Sequence, residues 1–485
     1  MKKRPNILFL MTDEQRYDAV GYVNPQVLTP HLDAMARESV CFLNAYTANP
    51  SCIPARAAIF TGRYPSQCGV PGYMSFLPEK ETTFMKLLRD GGYYTAVIGK
   101  QHFWKSKIEK GYDYEDIVDE HFPPEVISDK ITEGYFGQPA NKTVSDRVSS
   151  YVTYLMENGF TEGSQLYRQI NDKGIYEFFA DEKYHVDSYI GTRGKQWLEK
   201  EAPADRPWFL TLSFPGPHMP FDGIGLPDAE GYHEEEMELP DTNIRDIFNK
   251  PPHYLDIAKK FGQLDLKNHT SPDGLTAEDI RLMKKAYYAK MTLIDRKIGE
   301  VLDTLKKRGM YEDTLILFTS DHGEYMGDFG VATKAQYCSE ALMRVPFLLK
   351  PPVADFKGYP EDSFISSVEI AATFLTAALP VPENISPRSL TQFYQGDGKE
   401  LWEDIYMEAR DIRAIRDSHY KLIYYQNRDY GEFYDLSNDP HEKYNLWDDP
   451  GVQKEKARLM CRLADHMIGL GENSRQVWNI GAPQI

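Results

Sequence analysis

Residues 5–12, PNILFLMT, form a nearly continuous apolar run that leads directly into Asp13 and Glu14. Such a run is expected of a strand buried on both faces of a parallel sheet. Helices must then cover it, and the sequence that follows supplies them. Thr29-Pro30 opens a helix, with threonine at the N-cap and proline in the first turn, and Leu32, Met35 and Ala36 form its inner face. VCFLNAYT at 40–47 reads as a second strand. A helix at 82–90 stops at Gly91-Gly92, and 93–98 is the next strand. The alternation continues with a helix near 187–200, a strand at 208–213, a long helix at 276–308 and a strand at 314–319. Along the long helix, Ile280, Met283, Tyr287, Ile294, Ile298, Val301 and Leu305 recur at helical spacing. Strands alternating with helices imply an α/β fold, a large mostly parallel sheet sandwiched by helices.

Two stretches break the rhythm. Residues 103–185 and 219–275 are polar and rich in Tyr, Asp, Glu and Pro, and insertions of that length often shape a pocket. After about residue 385 the texture changes. IYMEARDIRAIRDSHYKLIYYQ and GEFYDLSNDP read as short strands joined by turns, an antiparallel sheet, followed by a helix near 452–468. With 485 residues there is room for two domains. The expected division is an α/β domain at 1–390 and a smaller C-terminal antiparallel-sheet subdomain at 391–485.

Composition narrows the partners. The net charge of −18 argues against nucleic acid or an anionic membrane over the whole surface, so any anionic substrate needs basic groups concentrated in one pocket. No apolar run approaches a membrane span. The basic start MKKRPNILFLMTDEQR has an apolar stretch of only residues 7–11 and no small-residue cleavage site, so a cytoplasmic location is expected. Asn141, Asn268 and Asn384 would then not serve as glycan acceptors. Five cysteines, at 41, 52, 68, 338 and 461, form no C-x-x-C pair, so neither a zinc site nor a disulfide framework is indicated.

In open α/β sheets the ligand lies at the carboxyl ends of the strands. The residues just beyond each expected strand are Asp13 and Glu14; Lys100 and His102; His218 in PGPHMPF; and Asp321 and His322 in SDHGE, with Lys334 shortly after. Cys52 opens the helix that follows strand 40–47. Each has an ordinary reading: Asp-Glu as a turn or N-cap, SDHG as a turn, His218 as a packed loop residue, the lysines as solvated. HEEEMELP at 233–240 reads as a solvated face, and Cys41 and Cys461 as incidental thiols. Together they mean more. Asp13, Glu14 and Asp321 are hard oxygen donors suited to Ca²⁺ or Mg²⁺. Arg56, Lys100, Lys334, His102 and His218 could surround a tetrahedral oxyanion, which favours displacement at phosphorus or sulfur.

These segments resemble the type I, formylglycine-dependent sulfatases of the alkaline phosphatase superfamily. CIPARAAIFTGR at 52–63 is similar to the family signature Cys-x-Pro-Ser/Ala-Arg followed by Thr-Gly-Arg, with Cys52, Pro54 and Arg56 complete and Ala55 in place of the commoner serine. RPNILFLMTDEQR resembles the first metal strand, GKQHF the Lys-x-His segment, PHMPF the second histidine, SDHGE the second metal segment and EFYDLSNDPHEKYNL the closing strand. The likeness runs from residue 5 to about 450.

The resemblance implies that a formylglycine-generating (sulfatase-maturing) enzyme converts Cys52 to formylglycine, whose hydrate attacks sulfur. It implies one divalent ion, Ca²⁺ with Mg²⁺ or Mn²⁺ as alternatives, held by Asp13, Glu14, residue 52, Asp321 and His322. Arg56 and Lys100 would hold the site in place, and Lys100 and Lys334 would neutralise sulfate oxygens. His102 would be the base that releases sulfate, and His218, with Lys334, the general acid. Two departures stand out: Glu14 where many members have aspartate, and His322 where many have asparagine.

The expected activity is exo-acting removal of sulfate from a small organic sulfate, a saccharide for preference. Aromatic insertions, including His102-Phe103-Trp104, suit stacking on a sugar or aryl ring. The alternatives are a phosphonate monoester or phosphodiester hydrolase of the same superfamily, and a sulfated-glycan binding protein whose Cys52 is never converted. A two-metal phosphatase would need a further Asp/His set that is not found.

Overall fold

The computed structural model describes residues 4–73, 75–103, 106–119, 149–254, 275–385, 388–396 and 402–471. Asn141, Asn268 and Trp104 lie outside them. The N-terminal run becomes β1 (Asn6–Asp13). In chain order there follow β2 (Val40–Tyr46), β3 (Tyr94–Gly99), β4 (Tyr114–Ile117), β5 (Tyr167–Gln169), β6 (Ile175–Phe178), β7 (Trp208–Pro217) and β8 (Phe221–Ile224). Then come β9 (Thr314–Ser320), β10 (Phe347–Lys350), β11 (Tyr359–Ser366), β12 (Asp404–Ala409), β13 (Ile412–Asp417), β14 (Tyr420–Tyr425) and β15 (Gly431–Asp435).

The main sheet runs β11-β2-β10-β9-β1-β7-β3-β4. β1 is parallel to both neighbours, with Leu8 opposite Leu210 and Ile316. Successive side chains of β1 then enter opposite layers. Leu8 and Leu10 join one core with Ile190, Leu212, Ile294 and Ile298, under helices Val186–Lys200 and Ala277–Lys307. Ile7, Phe9 and Met11 join the other with Ile59, Leu88 and Phe374, under helices Cys52–Thr61, Phe84–Asp90 and Glu369–Ala378. This is the expected sandwich. The sheet is mixed at one place, because β10 runs antiparallel to both β2 and β9. The polar insertions are not bare loops either: β5, β6 and β8 form a small sheet of their own. No helix among the described residues is long and apolar enough to cross a membrane.

The C-terminal strands form the expected antiparallel sheet, β12-β13-β14-β15. One face, with Tyr406, Ile415, Leu422 and Phe433, packs on Leu459 and Leu463 of helix Gln453–Gly471. The other, with Ile405, Met407, Ala414 and Ile423, packs on Tyr46, Met343 and Phe364 of the main layer.

A buried charge cluster pins that second face. Glu340 accepts hydrogen bonds from Lys421 (3.0 Å) and Tyr46 (2.7 Å), and Lys421 also meets Glu442 at 2.9 Å. Burial alone would raise the Glu340 carboxyl, but Lys421 and Arg416 outweigh it and bring it down to about 2. A lowered acid contributes stability that is complete above its unfolded value near 4.5 and is lost as pH falls toward 2. Glu340→Gln should therefore cost about 3 kcal/mol at pH 7. In urea titrations its deficit against the parent should shrink as the pH is lowered below 4.5; a deficit independent of pH would contradict the assignment.

Candidate active site

The parallel register brings four strand ends to one edge. Thr12 stands opposite Ser320, Asp13 opposite Pro217 and Gly99 opposite Ser213. The segments beyond are stitched by backbone bonds: Asp321 N–H to Thr12 O (3.3 Å), His218 N–H to Asp13 O (3.1 Å) and Lys100 N–H to Ser213 O (2.8 Å). Helix Cys52–Thr61 starts at Cys52 itself, beside the same edge, and all ten of its residues are buried.

At the centre, Asp13, Cys52, Asp321 and His322 each offer a ligand atom, and those atoms lie within 4.8 Å of one another. His322 Nδ1 lies 2.9 Å from Gly323 O, so Nδ1 carries the hydrogen and the Nε2 lone pair faces the group. The Cys52 thiol sits 3.1 Å from that Nε2 and donates to it. Burial, with Asp13 nearby, pushes the thiol up to about 12, so the sulfur is no thiolate nucleophile at neutral pH.

Each carboxylate is held by a buried cation. Lys100 pairs with Asp13. Arg56, 1% exposed, donates from Nε to Asp321 Oδ2 (2.7 Å) and from Nη1 to Lys100 O (2.8 Å) and Ser213 Oγ (2.9 Å). The guanidinium makes these contacts from two nitrogens fixed in one plane, a span that a single ammonium nitrogen does not have. Asp321 Oδ1 accepts from the N–H groups of Glu14 (3.1 Å) and His322 (2.9 Å).

Glu14, expected in the metal shell, falls outside the group. Its backbone is left-handed (φ 61°), so adjacent carboxylates in the sequence diverge in space. Glu14 Oε2 lies 2.7 Å from Lys334 Nζ and 2.9 Å from His218 Nε2. Burial opposes its charge, but His218 and Lys334 hold it well below the usual carboxylate range. His218 Nδ1 donates to Met219 O (2.6 Å), which leaves Nε2 to accept from Lys334 at 2.7 Å. Burial keeps the His218 ring neutral near pH 7 despite Glu14. Burial also works against the Lys334 charge, but Cys52, Glu14 and Asp13 raise that ammonium well above its ordinary value. The proton of this trio therefore rests on Lys334.

His102 stands one step away, also left-handed (φ 59°), with its N–H on Asp119 (2.7 Å) and its ring edge-on to Tyr73. Burial and Lys100 push it well below the usual histidine value, and Nδ1 has no hydrogen-bond partner among the described residues. Four participants were not singled out as site residues from the sequence: Ser213, Asp119, Tyr287, whose hydroxyl donates to Glu14 O (2.6 Å), and Glu324. Glu324 is buried beside Glu14, and burial and that neighbour raise its carboxyl well above the ordinary range. It stood inside the SDHGE segment, adjacent to Asp321 and His322, which was the one signal available.

The chain is similar to known proteins over nearly its whole length. A family model described as N-sulphoglucosamine sulphohydrolase, C-terminal, matches residues 327–468. The chain is 28% identical over 477 residues to the uncharacterized sulfatase YidJ of Escherichia coli strain K12, covering 96% of this chain and 87% of that protein. It is 26% identical over 509 residues to N-acetylglucosamine-6-O-sulfatase of Bacteroides thetaiotaomicron, covering 96% and 86%. The crystal structure of phosphonate monoester hydrolase of Agrobacterium radiobacter superposes with a TM-score of 0.79 at 21% identity, over 96% of this chain and 95% of that one, a likeness of fold. The family model for Sulfatase matches residues 5–380, and the chain belongs to that family of sulfuric ester hydrolases.

Proposed function

We propose that the chain removes sulfate from a small sulfated saccharide by exo action, using residue 52 after conversion to formylglycine and one divalent cation. The observation that carries this is the convergence of Asp13, Cys52, Asp321 and His322 on one buried point ringed by Arg56, Lys100 and Lys334. The saccharide preference is supported by the similarity to N-acetylglucosamine-6-O-sulfatase.

The residues fit a metal. Asp13 and Asp321 supply hard oxygens, and the His322 Nε2 lone pair is locked toward them. Formal charges balance without an ion: Asp13, Glu14 and Asp321 against Arg56, Lys100 and Lys334. A bound divalent cation leaves the pocket positive, as an anionic ester requires. Ca²⁺ is the ion we assign on donor type, with Mg²⁺ and Mn²⁺ as alternatives. When present, the cation and formylglycine supply an activated hydroxyl for attack on sulfur.

The rest falls to the chain. Lys100 and Arg56 keep the two carboxylates in place, and Lys100 and Lys334 face the sulfate oxygens. His218, fed by the Lys334 ammonium at 2.7 Å, delivers a proton to the departing alcohol oxygen. His102, kept neutral by burial, accepts the proton released at residue 52.

The test is a panel of 4-nitrophenyl sulfate and sulfated mono- and disaccharides against phosphate diesters and phosphonate esters. The protein is co-expressed with a formylglycine-generating enzyme, and the residue 52 peptide is weighed for loss of sulfur and two hydrogens with gain of one oxygen. Sulfate release should dominate, fall on chelation and return with Ca²⁺. Preference for the phosphorus esters would transfer the chain to the phosphonate hydrolase reading. Tight glycan binding by a protein with unconverted Cys52 and no turnover would make it a binding protein.

A further inference from the structure

Behind the turn that carries His218 lie four ionisable side chains with no part in the chemistry above. They are His185 at the N-cap of helix Val186–Lys200, Asp187 in its first turn, Asp222 on β8 and Lys290 in helix Ala277–Lys307. Their exposures are 0%, 0%, 2% and 3%. Lys290 Nζ forms an ion pair with Asp222 Oδ1 at 2.7 Å and donates to two backbone carbonyls, His218 O at 3.0 Å and Pro220 O at 3.2 Å. Asp222 meets His185 at 3.4 Å on its other oxygen, and Asp187 accepts from Gly216 N–H at 3.0 Å.

The packing leaves this assembly no slack. A Cβ on Gly223 would lie 1.9 Å from Ala286 O, so β8 touches the long helix backbone to backbone, one turn before Lys290. A Cβ on Gly216 would lie 2.4 Å from Asp187 Oδ2. Buried ion pairs are poor stabilisers compared with apolar residues of similar volume. What a lysine supplies here, and an apolar residue would not, is a directed grip on two carbonyls. Between them sits Met219, whose own carbonyl accepts the Nδ1 hydrogen of His218.

We infer that Lys290, anchored by Asp222, is a positioning residue for the general acid, fixing the turn so that His218 Nε2 meets Lys334 and the departing oxygen. This rests on the reading of His218 as that acid. A proton matters little when 4-nitrophenolate leaves and much when a more basic phenolate leaves. The experiment measures kcat and KM for 4-nitrophenyl, phenyl and 4-methoxyphenyl sulfate with full-length, formylglycine-bearing protein. Lys290→Met should leave 4-nitrophenyl sulfate within about 3-fold and lower kcat for 4-methoxyphenyl sulfate at least about 10-fold, with KM nearly constant. The double variant Lys290→Met/Asp222→Asn removes both charges, so that a folding defect from stranded Asp222 does not decide the result, and should discriminate likewise. His218→Ala is the reference. If it discriminates and the Lys290 variants slow all three esters equally or none, the positioning role is overturned. If His218→Ala itself shows no leaving-group dependence, the general-acid reading falls and this inference with it.

Discussion

Cys52→Ala is expected to yield a folded protein whose turnover of every sulfate ester drops to background, a loss on the order of 10⁵-fold or more. The substitution removes the atom that becomes the nucleophile and leaves the four charges of the two buried pairs, Lys100–Asp13 and Arg56–Asp321, in place. It removes one small buried group whose contact is the 3.1 Å approach to His322 Nε2. Stability should therefore change by only about 1 kcal/mol, read from urea midpoints beside the rate assay. Turnover of even a few per cent in a verified alanine protein would mean that the nucleophile lies elsewhere.

Arg56→Met is expected to act on the fold as well. It strands Asp321, 0% exposed, without its cation, and breaking a buried pair from one side costs about 3–5 kcal/mol. It also releases Lys100 O and Ser213 Oγ, which share Nη1, so strand ends β3 and β7 lose a common tie. Arg56→Lys restores charge but cannot reach three acceptors, and should recover part of the stability and little activity. Because Arg56 belongs to the Cys-x-Pro-x-Arg core, residue 52 should stay a cysteine in the methionine variant by peptide mass. A stable Arg56→Met protein with converted residue 52 would contradict both assignments.

The parts of the fold that could be read in advance were those whose burial is double-sided. PNILFLMT and the strand at 314–319 announce themselves because both faces are covered and no polar residue interrupts them. β10 is four residues long and sits after a proline, too brief for any period to register, and its antiparallel direction comes from a return path invisible in its composition. β11, YPEDSFIS, reads as polar because it is the edge strand of the main sheet and only its last three residues are buried.

The site divides the same way. Residues directly beyond strand ends were found by position. The separation of Glu14 from Asp13 was not legible, because adjacency in sequence says nothing about a left-handed backbone that sends neighbouring carboxylates to different partners. Ser213, Asp119 and Lys290 act singly, through one or two bonds across the chain, and a single lysine on a long helix looks like any solvated lysine until its surroundings are known.

The helix that begins at Cys52 has a consequence for how active protein is made. Every residue from 52 to 61 is buried, and the cysteine is 1% exposed. An enzyme that recognises Cys52, Pro54 and Arg56 would have to reach them before that segment is covered. Under the proposed conversion, folding and modification run as a race on the nascent chain, and a molecule that folds first is a finished but inert product. The active fraction in a preparation is then a record of relative rates, set during synthesis and not corrected afterwards.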